Sequence, residues 1–207
     1  MHSAEAVRSR YALESLERYY RLHARIYDWT RPFFLLGRRR LLSGLHVGRG
    51  ETVIDVGCGT GWSFPHLTAV GATVIGVEVC AEMRARAEAG AAKWNGAVRM
   101  DPRPYGTHAD FVGASDVVVF SYSLSMIPPY EDAIERARGD LAPSGRIGVV
   151  DFLDAVEPLP ARALAASHVH LGAERLDALR RAFPAHFVEV RNAGLWRYFV
   201  FVGRVRG

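Results

Sequence analysis

The feature that most constrains the fold of this chain is the glycine-rich segment that follows an apolar run. Residues 53–56 read Val-Ile-Asp-Val, and a Gly-Cys-Gly-Thr-Gly sequence follows before a helical pattern begins. A buried strand, a glycine turn and a helix start aim backbone N–H groups at a nucleotide-like ligand, and glycine permits the positive φ angles of such a turn. The residues expected to bind this ligand are Asp55, Gly57, Cys58, Gly59, Thr60 and Gly61.

An acidic residue further along the chain narrows the class of ligand. The glycine spacing is Gly-x-Gly-x-Gly, which differs from the Gly-x-Gly-x-x-Gly of dinucleotide-binding domains. The next apolar run, residues 72–77, ends at Glu78, and an acid after the second strand suits the two hydroxyls of a ribose. Its carboxylate would repel a 2′-phosphate, which argues against NADP. The residues alone leave open a domain that binds NAD and a nucleotide fold that binds nothing.

Short apolar runs alternate with helical patterns, which predicts an α/β fold with a parallel sheet covered by helices on both faces. The expected strands are residues 52–56, 73–77, 97–100, 115–121, 146–152, 186–191 and 195–202. The expected helices between them are residues 61–70, 81–93, 130–141 and 172–182. Two further helices are expected near the N-terminus, one over residues 4–25 and one that Thr30 caps and that runs to residue 45.

The turn, the acid and the strand order together resemble the class I S-adenosylmethionine-dependent methyltransferases over residues 51–151. The resemblance implies a Rossmann-like class I methyltransferase fold, with a mostly parallel seven-stranded sheet and a C-terminal antiparallel hairpin. It also implies that the glycine turn holds the amino-acid part of S-adenosyl-L-methionine, that Glu78 holds the ribose and that Asp101 lies near the adenine amine. We expect residues 1–207 to form a single domain, with residues 1–45 as an N-terminal helical lid and residues 46–207 as the Rossmann-like core.

The segment after the fourth strand is expected to border the methyl group of the cofactor, because ligands of open parallel sheets bind beyond the carboxyl ends of the strands. Enzymes that methylate adenine, cytosine or a glutamine amide hold the planar amine with an Asn-Pro-Pro motif, whereas this chain carries hydroxyl groups there. We expect Ser121 to bind the cofactor, Tyr122 and Ser123 to take part in catalysis, and Ser125 to bind the substrate. The alternative is that only the main chain of this segment makes contacts.

Asp151 is expected to end the fifth strand, where it would accept a proton or attract an ammonium group in a catalytic role. The alternative is that it caps a helix or a loop. No strong general base is visible in the sequence, which suits a reaction governed by positioning. The same cofactor has a second electrophilic carbon, so the alternative activity is 3-amino-3-carboxypropyl transfer or cyclisation with release of methylthioadenosine. A cofactor-binding regulator without activity is the non-enzyme interpretation.

A narrower resemblance is to the methyltransferase part of betaine-lipid synthases, carried by residues 23–30, 35–38, 120–128 and 148–152. It implies methylation, three times, of the amino group of a homoserine joined by an ether to diacylglycerol. Tyr27, in a loop between the two N-terminal helices, would act in catalysis by flanking a sulfonium or a methylated amine through cation–π contact, or it packs the lid. Arg38 would bind a substrate carboxylate or lipid headgroup, or it lies on a solvated helix face.

Composition limits the partners and the compartment. The net charge of +4 is mildly basic, which suits an anionic partner or a membrane surface. No run of roughly 18 apolar residues occurs, so no membrane span is expected. We expect a cytoplasmic protein with peripheral membrane contact whose partner is a small-molecule or lipid-headgroup acceptor. Nucleic acid is not expected as a partner, because the chain lacks a base-flipping clamp and an appended RNA-binding domain.

The remaining candidate ligands do not predict a metal site. Cys58 and Cys80 both lie inside the nucleotide-binding pattern, which indicates reduced thiols rather than a disulfide framework or a zinc cluster. His168 and His170 flank one residue and can point the same way in an extended chain. No third ligand with a similar signal accompanies them, so we expect surface or core histidines.

Overall fold

The computed structural model describes residues 35–94, 96–106, 111–155 and 171–205. Within these ranges, the α-helices are α1 (Arg38–Leu45), α2 (Phe64–Ala69), α3 (Ala81–Ala91), α4 (Tyr130–Asp140) and α5 (Glu174–Ala182). The strands are β1 (Thr52–Val56), β2 (Thr73–Val77), β3 (Val98–Asp101), β4 (Ser115–Ser121), β5 (Leu141–Ala155), β6 (Ala185–Asn192) and β7 (Trp196–Arg204). Short 3-10 helices lie at Ala92–Trp94 and Leu124–Met126.

The seven strands form one sheet in the order β3-β2-β1-β4-β5-β7-β6. Strands β1 to β5 pair in parallel, and β7 runs antiparallel to both β5 and β6. The predicted α/β class, parallel core and C-terminal antiparallel hairpin are therefore confirmed. Because β2 and β4 pair with opposite edges of β1, the carboxyl ends of β1 and β4 form a topological switch point, where open sheets bind ligands.

Helices cover both faces of the sheet and divide the apolar core into two clusters. On one face, Val53 of β1 packs with Leu41 of α1 and Phe64 of α2. On the other face, Ile54 packs with Leu179 of α5 and with residues of α4. Successive residues of a strand point to opposite faces, so this division decides which of the polar residues in the sheet meet one another.

The start of α1 corrects the helix that was expected from Thr30 to residue 45. Leu36 and Gly37 form a turn, and the helix begins at Arg38. Gly37 has a φ of +84°, and a Cβ atom at this position would lie 2.5 Å from Cε2 of Tyr198. The close approach and the left-handed backbone interrupt the helix at this point. Thr30, the helix expected over residues 4–25 and the loop with Tyr27 lie outside the described residues.

The length of β5 corrects the strand that was expected to end near residue 152. The strand extends to Ala155 because its last residues pair with β7, with Asp151 opposite Phe199 and Ala155 opposite Trp196. Asp151 therefore lies inside the strand and not at its end. Trp196 and Tyr198 are buried in the core of this strand pair.

Candidate functional site

The glycine turn after β1 has the left-handed backbone that the sequence predicts. The φ angles are +66° at Gly57, +60° at Gly59 and +79° at Gly61. A Cβ atom at Gly57 would lie 2.5 Å from Cβ of Ser123, and one at Gly61 would lie 2.5 Å from the ring of Phe64. Glycine is therefore required at these two positions by contacts within the protein as well as by the shape of the turn.

The turn is connected to the end of β2 by hydrogen bonds. The N–H groups of Gly57 and Cys58 both donate to the carbonyl of Val77, at 2.8 and 3.2 Å. The Glu78 carboxylate is buried, and it accepts the N–H of Gly59 at 2.9 Å and the N–H of Cys80 at 2.9 Å. Glu78 thus connects the glycine turn to the residues that follow β2.

Asp55 lies within β1 directly before the turn, and its side chain is buried. Ser63 donates its hydroxyl to Oδ2 of Asp55, whereas Oδ1 has no hydrogen-bond partner among the described residues. Burial raises the pKa of Asp55 to about 6, while the Ser63 hydrogen bond and the nearby Arg38 charge oppose this shift. A buried carboxylate oxygen without a partner is suited to a charged N–H donor.

Arg38, at the start of α1, lies beside this cluster. Its guanidinium carbon is 5.1 Å from the centre of the Trp62 ring, directly after the turn. Its charge lowers the pKa values of both Asp55 and Tyr122, against the larger effect of burial on each group. The sequence predicted a substrate ligand here, and the structure brings Arg38 to the glycine turn and the segment after β4.

The segment after β4 contacts the turn through Ser123. Its hydroxyl donates to the carbonyl of Val56 at 2.6 Å. Tyr122 has a φ of +60°, and its hydroxyl donates to the carbonyl of Leu36 at 2.7 Å. Burial raises the pKa of Tyr122, so the phenol stays protonated at neutral pH. This hydrogen bond fixes the segment after β4 against Leu36. A direct catalytic role for Tyr122 stays a prediction.

Two further hydroxyls of this segment are buried near the end of β4. The Oγ atoms of Ser121 and Ser125 are buried. That of Ser121 has no hydrogen-bond partner among the described residues, whereas the Ser125 side chain interacts with Asp151 and opposes the rise of its pKa. Ser121 is the last residue of β4, and Ser125 lies in the 3-10 helix that follows. Both therefore lie near the carboxyl end of β4, at the switch point. They were predicted to bind the cofactor and the substrate, respectively.

Asp151 belongs to the opposite face of the sheet from Asp55. Its neighbours in β5, Val150 and Phe152, belong to the α1–α3 face, so strand alternation directs Asp151 to the α4–α5 face. Its Oδ2 accepts the N–H of Ser125 at 2.7 Å, and its Oδ1 accepts the N–H of Phe152 at 2.8 Å. Burial raises the pKa of Asp151. The predicted catalytic contact with the acceptor stays a prediction, because these contacts are internal.

Asp101 ends β3 and borders a small cleft. Arg103 donates to both of its carboxylate oxygens, with an Nη2 to Oδ2 distance of 2.6 Å. This hydrogen bonding lowers the pKa of Asp101. The cleft is also lined by Val77, Tyr105 and Phe111. A role of Asp101 beside the adenine amine stays a prediction. The adenine amine would share the Asp101 carboxylate with Arg103.

Two residues that the sequence pattern did not indicate lie near the predicted aspartates. Ser63 follows the glycine turn and bonds Asp55, and Arg175 of α5 is buried near Asp151. A serine near a helix start and an arginine in a helical pattern are common in solvated positions, so neither carried a signal. Which face of a helix is buried depends on tertiary packing. The apolar periodicity of α5 indicates that face only coarsely.

The remaining predicted ligands have simple surroundings. Cys58 and Cys80 are buried thiols, and burial raises the pKa of Cys80; Thr60 is half-buried within the turn. Across the described ranges, no group of three or more His, Cys, Asp or Glu side chains could hold a metal ion, and His168 and His170 lie outside them. None of the helices that the structure describes is long and apolar enough to cross a membrane.

A family model extends over most of the chain. Residues 22–204 match the model described as a methyltransferase domain. This match covers the glycine turn, Glu78, the segment after β4 and the antiparallel hairpin. No curated protein matches the chain in sequence.

Several solved structures have a similar fold. 1,6-Didemethyltoxoflavin-N1-methyltransferase from Burkholderia thailandensis has a TM-score of 0.72 and 20% identity, over 100% of this chain and 90% of that one. Phosphoethanolamine N-methyltransferase 2 from Haemonchus contortus has a TM-score of 0.71 and 12% identity, over 82% of this chain and 52% of that one, so this chain spans about half of its length. Geranyl diphosphate C-methyltransferase from Streptomyces coelicolor A3(2) has a TM-score of 0.70 and 15% identity, over 80% and 75% of the two chains. All three structures contain S-adenosylhomocysteine.

Proposed function

Because the chain belongs to the methyltransferase domain family, we propose that it uses S-adenosyl-L-methionine to methylate an amino group. The acceptor is a homoserine-type amine or another small amine or lipid headgroup. The observation that carries the proposal is the buried Oδ1 atom of Asp55, just before the left-handed glycine turn. This atom has no hydrogen-bond partner among the described residues. The site lies at the switch point of the sheet, where open α/β sheets bind their ligands.

The residues around the turn suit the three parts of this cofactor. Oδ1 of Asp55 would accept a hydrogen bond from its ammonium group, and the Glu78 carboxylate would accept hydrogen bonds from its ribose hydroxyls. Asp101 would accept a hydrogen bond from the adenine amine beside Arg103. When bound, the cofactor supplies a methyl group on a sulfonium for in-line displacement. The work of the protein is to orient the two reactants and to exclude water.

The segment after β4 supports a polar acceptor. The buried hydroxyl of Ser121 has no hydrogen-bond partner among the described residues, and the segment lacks the Asn-Pro-Pro motif that would hold a planar nucleobase amine. The similar structures include N-methyltransferases and a C-methyltransferase, so the choice of nitrogen rests on the polar side chains of this segment. An amine must lose its proton before it attacks. Positioning at these hydroxyls would select the neutral form.

The product of the reaction tests the proposal. The purified protein is incubated with S-adenosyl-L-methionine, alone and with a homoserine-lipid or a small amine, and the nucleoside product is identified by mass spectrometry. We expect S-adenosylhomocysteine that forms only when an acceptor is present. Methylthioadenosine would instead identify aminocarboxypropyl transfer, or cyclisation if no acceptor is needed. Tight cofactor binding without any product across the acceptor panel would favour a regulatory protein.

Arg38 provides a test of an anionic acceptor. The betaine-lipid resemblance and the net charge of +4 favour a carboxylate or headgroup as its partner, at the membrane surface or in the cytoplasm. We expect Arg38→Ala to raise KM for such an acceptor about tenfold, the loss of one charge-assisted hydrogen bond. Exposed Arg39, its neighbour in α1, is the matched control, and Arg39→Ala should leave KM unchanged.

Two measurements separate the possible roles of Arg38. Calorimetric titration with S-adenosylhomocysteine reports cofactor affinity, and sedimentation with anionic and neutral vesicles reports membrane contact. A loss of cofactor affinity in Arg38→Ala with an unchanged acceptor KM would move this residue from the substrate to the cofactor. Equal effects of the Arg38 and Arg39 substitutions would indicate a general surface-charge effect.

A further inference from the structure

The start of α1 is held against the sheet by the turn that precedes it. The Tyr122 hydroxyl donates to the carbonyl of Leu36 at 2.7 Å. At Gly37, a Cβ atom would lie 2.5 Å from the ring of Tyr198, so the backbone of this turn rests directly on β7. The carbonyl of Gly37 then accepts the N–H of Leu41 at 2.9 Å. The turn therefore sets the place from which the helix begins.

Tyr122 is itself a well-fixed side chain. It is 4% exposed, and its ring packs edge to face against Phe152, with 4.6 Å between the ring centres. Its main-chain N–H donates to the carbonyl of Val150 in β5 at 2.8 Å. A side chain that packing already orders loses little further conformational entropy when it makes a hydrogen bond. Its hydroxyl can therefore fix the turn at Leu36, which is exposed.

The other end of α1 is fixed by separate contacts. Arg146 of β5 donates to the carbonyl of Leu45 at 2.5 Å and to the carbonyl of His46 at 3.0 Å, and it pairs with Glu51 at 2.7 Å. The last carbonyls of a helix lack partners within the helix, and hydrogen bonds from a charged donor are the stronger kind. The end of α1 thus keeps its place without Tyr122, whereas the start of the helix depends on the turn.

Arg38 is the residue that this turn brings to the candidate site. Its guanidinium carbon lies 5.1 Å from the centre of the Trp62 ring, directly after the glycine turn. A cation over the face of an indole is attracted by the negative charge of that face, and the Nε atom of Arg38 is buried. One residue, Gly37, separates Arg38 from the residue whose carbonyl Tyr122 holds. A displacement of that carbonyl would therefore move Arg38 as well.

We propose that Tyr122 is a positioning residue, whose hydroxyl holds the Leu36 carbonyl and thereby fixes Arg38 against Trp62 at the glycine turn. The consequence for the acceptor rests on the proposed function, in which Arg38 binds an anionic group, whereas the placement of Arg38 does not. Tyr122 then acts on the reaction through Arg38 and not through a proton transfer of its own. The KM for the acceptor, rather than kcat, should therefore depend on the phenol.

The first experiment measures the placement of Arg38 without any acceptor. The ring current of an indole shifts protons above its face upfield, so the Arg38 Nε–H signal in ¹H–¹⁵N spectra of the full chain reports the contact with Trp62. Arg38→Ala identifies the signal by its loss. We expect Tyr122→Phe to move this signal towards the position of a solvated arginine. Tyr130→Phe, which removes a phenol hydroxyl at the start of α4, is the matched control and should leave the signal in place.

Gly37→Ala is a second variant that displaces the same turn and keeps the Tyr122 hydroxyl. A methyl group at a φ of +84° is strained and would meet the ring of Tyr198. We expect the Arg38 signal to move in the same direction as in Tyr122→Phe. This variant tests the link between the turn and Arg38 independently of any change at Tyr122.

The second experiment is a double-mutant cycle on turnover. For an anionic acceptor that yields S-adenosylhomocysteine, we expect Tyr122→Phe to raise KM about threefold to tenfold, the effect of one lost hydrogen bond, with kcat near the native value. In the Arg38→Ala background, the same substitution should change KM by less than about twofold, because residues that act through one another are not additive.

The outcomes separate this inference from the proposed function. A native Arg38 signal in Tyr122→Phe would overturn the inference, and so would an equal rise of KM in both backgrounds. A fall of kcat that does not depend on Arg38 would show direct catalysis by the phenol and would also overturn it. If no acceptor is methylated but the Arg38 signal moves as expected, the proposed function fails while the placement of Arg38 by Tyr122 is supported.

Discussion

Asp55→Asn should make the cofactor-free protein more stable while removing most of its affinity for S-adenosyl-L-methionine. Burial holds the pKa of Asp55 at about 6, above the ordinary value of 3.8. The folded state therefore binds the proton more tightly than the unfolded state, and the stability from this group is lost as the pH rises through 6. Above that pH, the difference between the two pKa values corresponds to a loss of about 3 kcal/mol in the free energy of unfolding. An asparagine would not cause this loss, because its amide is neutral at every pH.

Affinity should change in the opposite direction. An asparagine replaces a charged acceptor by a neutral one opposite the ammonium group, which should weaken binding about tenfold to a hundredfold. In the native protein, affinity should also fall as the pH drops below about 6, because Asp55 becomes protonated. Asparagine should remove this pH dependence.

Urea denaturation at about pH 5 and pH 8 and calorimetric titration with S-adenosylhomocysteine measure both effects. Asp132→Asn, at an exposed position in the first turn of α4, is the matched control and should leave affinity unchanged. We expect the stability gain of Asp55→Asn to be larger at the higher pH. An unchanged affinity would contradict the assignment of Asp55 to the cofactor site, and an equal gain at both pH values would contradict the buried charge.

Gly59→Val should abolish measurable cofactor binding. Gly59 has a φ of +60°, which a β-branched residue adopts only with strain. Its N–H also donates to Glu78, so a change of backbone conformation would disturb both the turn and its hydrogen bond to Glu78. Because both elements belong to the same site, we expect affinity to fall by more than about a hundredfold, the sum of strain and lost hydrogen bonds.

The matched control for this substitution is Gly90→Val. Gly90 lies in α3, and a Cβ atom there would meet nothing within 4 Å. This variant should bind S-adenosylhomocysteine with native affinity. Circular dichroism establishes whether Gly59→Val is folded, and thermal denaturation gives its Tm. A folded Gly59→Val that binds within threefold of the native affinity would place the cofactor away from this turn.

The outline of the fold could be predicted from local patterns. The strands β1 to β4 and the helices α3 and α4 lie within a few residues of their predicted positions, because apolar periodicity and glycine punctuation act over short distances. The turn at Gly57, Gly59 and Gly61 was predictable for the same reason. The error at Gly37 shows the limit, since its left-handed backbone is matched to Tyr198, a residue far along the chain.

The candidate site was predictable only in part. Asp55, Glu78 and the hydroxyl-bearing segment follow directly from the ends of strands in a parallel sheet. The contacts of Asp151 did not follow, because the length of β5 depends on its pairing with β7. Arg38 was assigned to a substrate from its charge alone, and its contact with Trp62 depends on where α1 packs.

The sequence by itself determined the order of strands and helices, the left-handed turn after β1 and the acids that end the first strands, because each depends on residues close together in the chain. Only the tertiary structure decided that Asp55 and Asp151 lie on opposite faces of the sheet, with the charge of Arg38 near the first and that of Arg175 near the second. Each of these placements brings together residues that are far apart in the sequence. They arise from the packing of α1 and α5 against the two faces, where burial makes each charge depend on its neighbour.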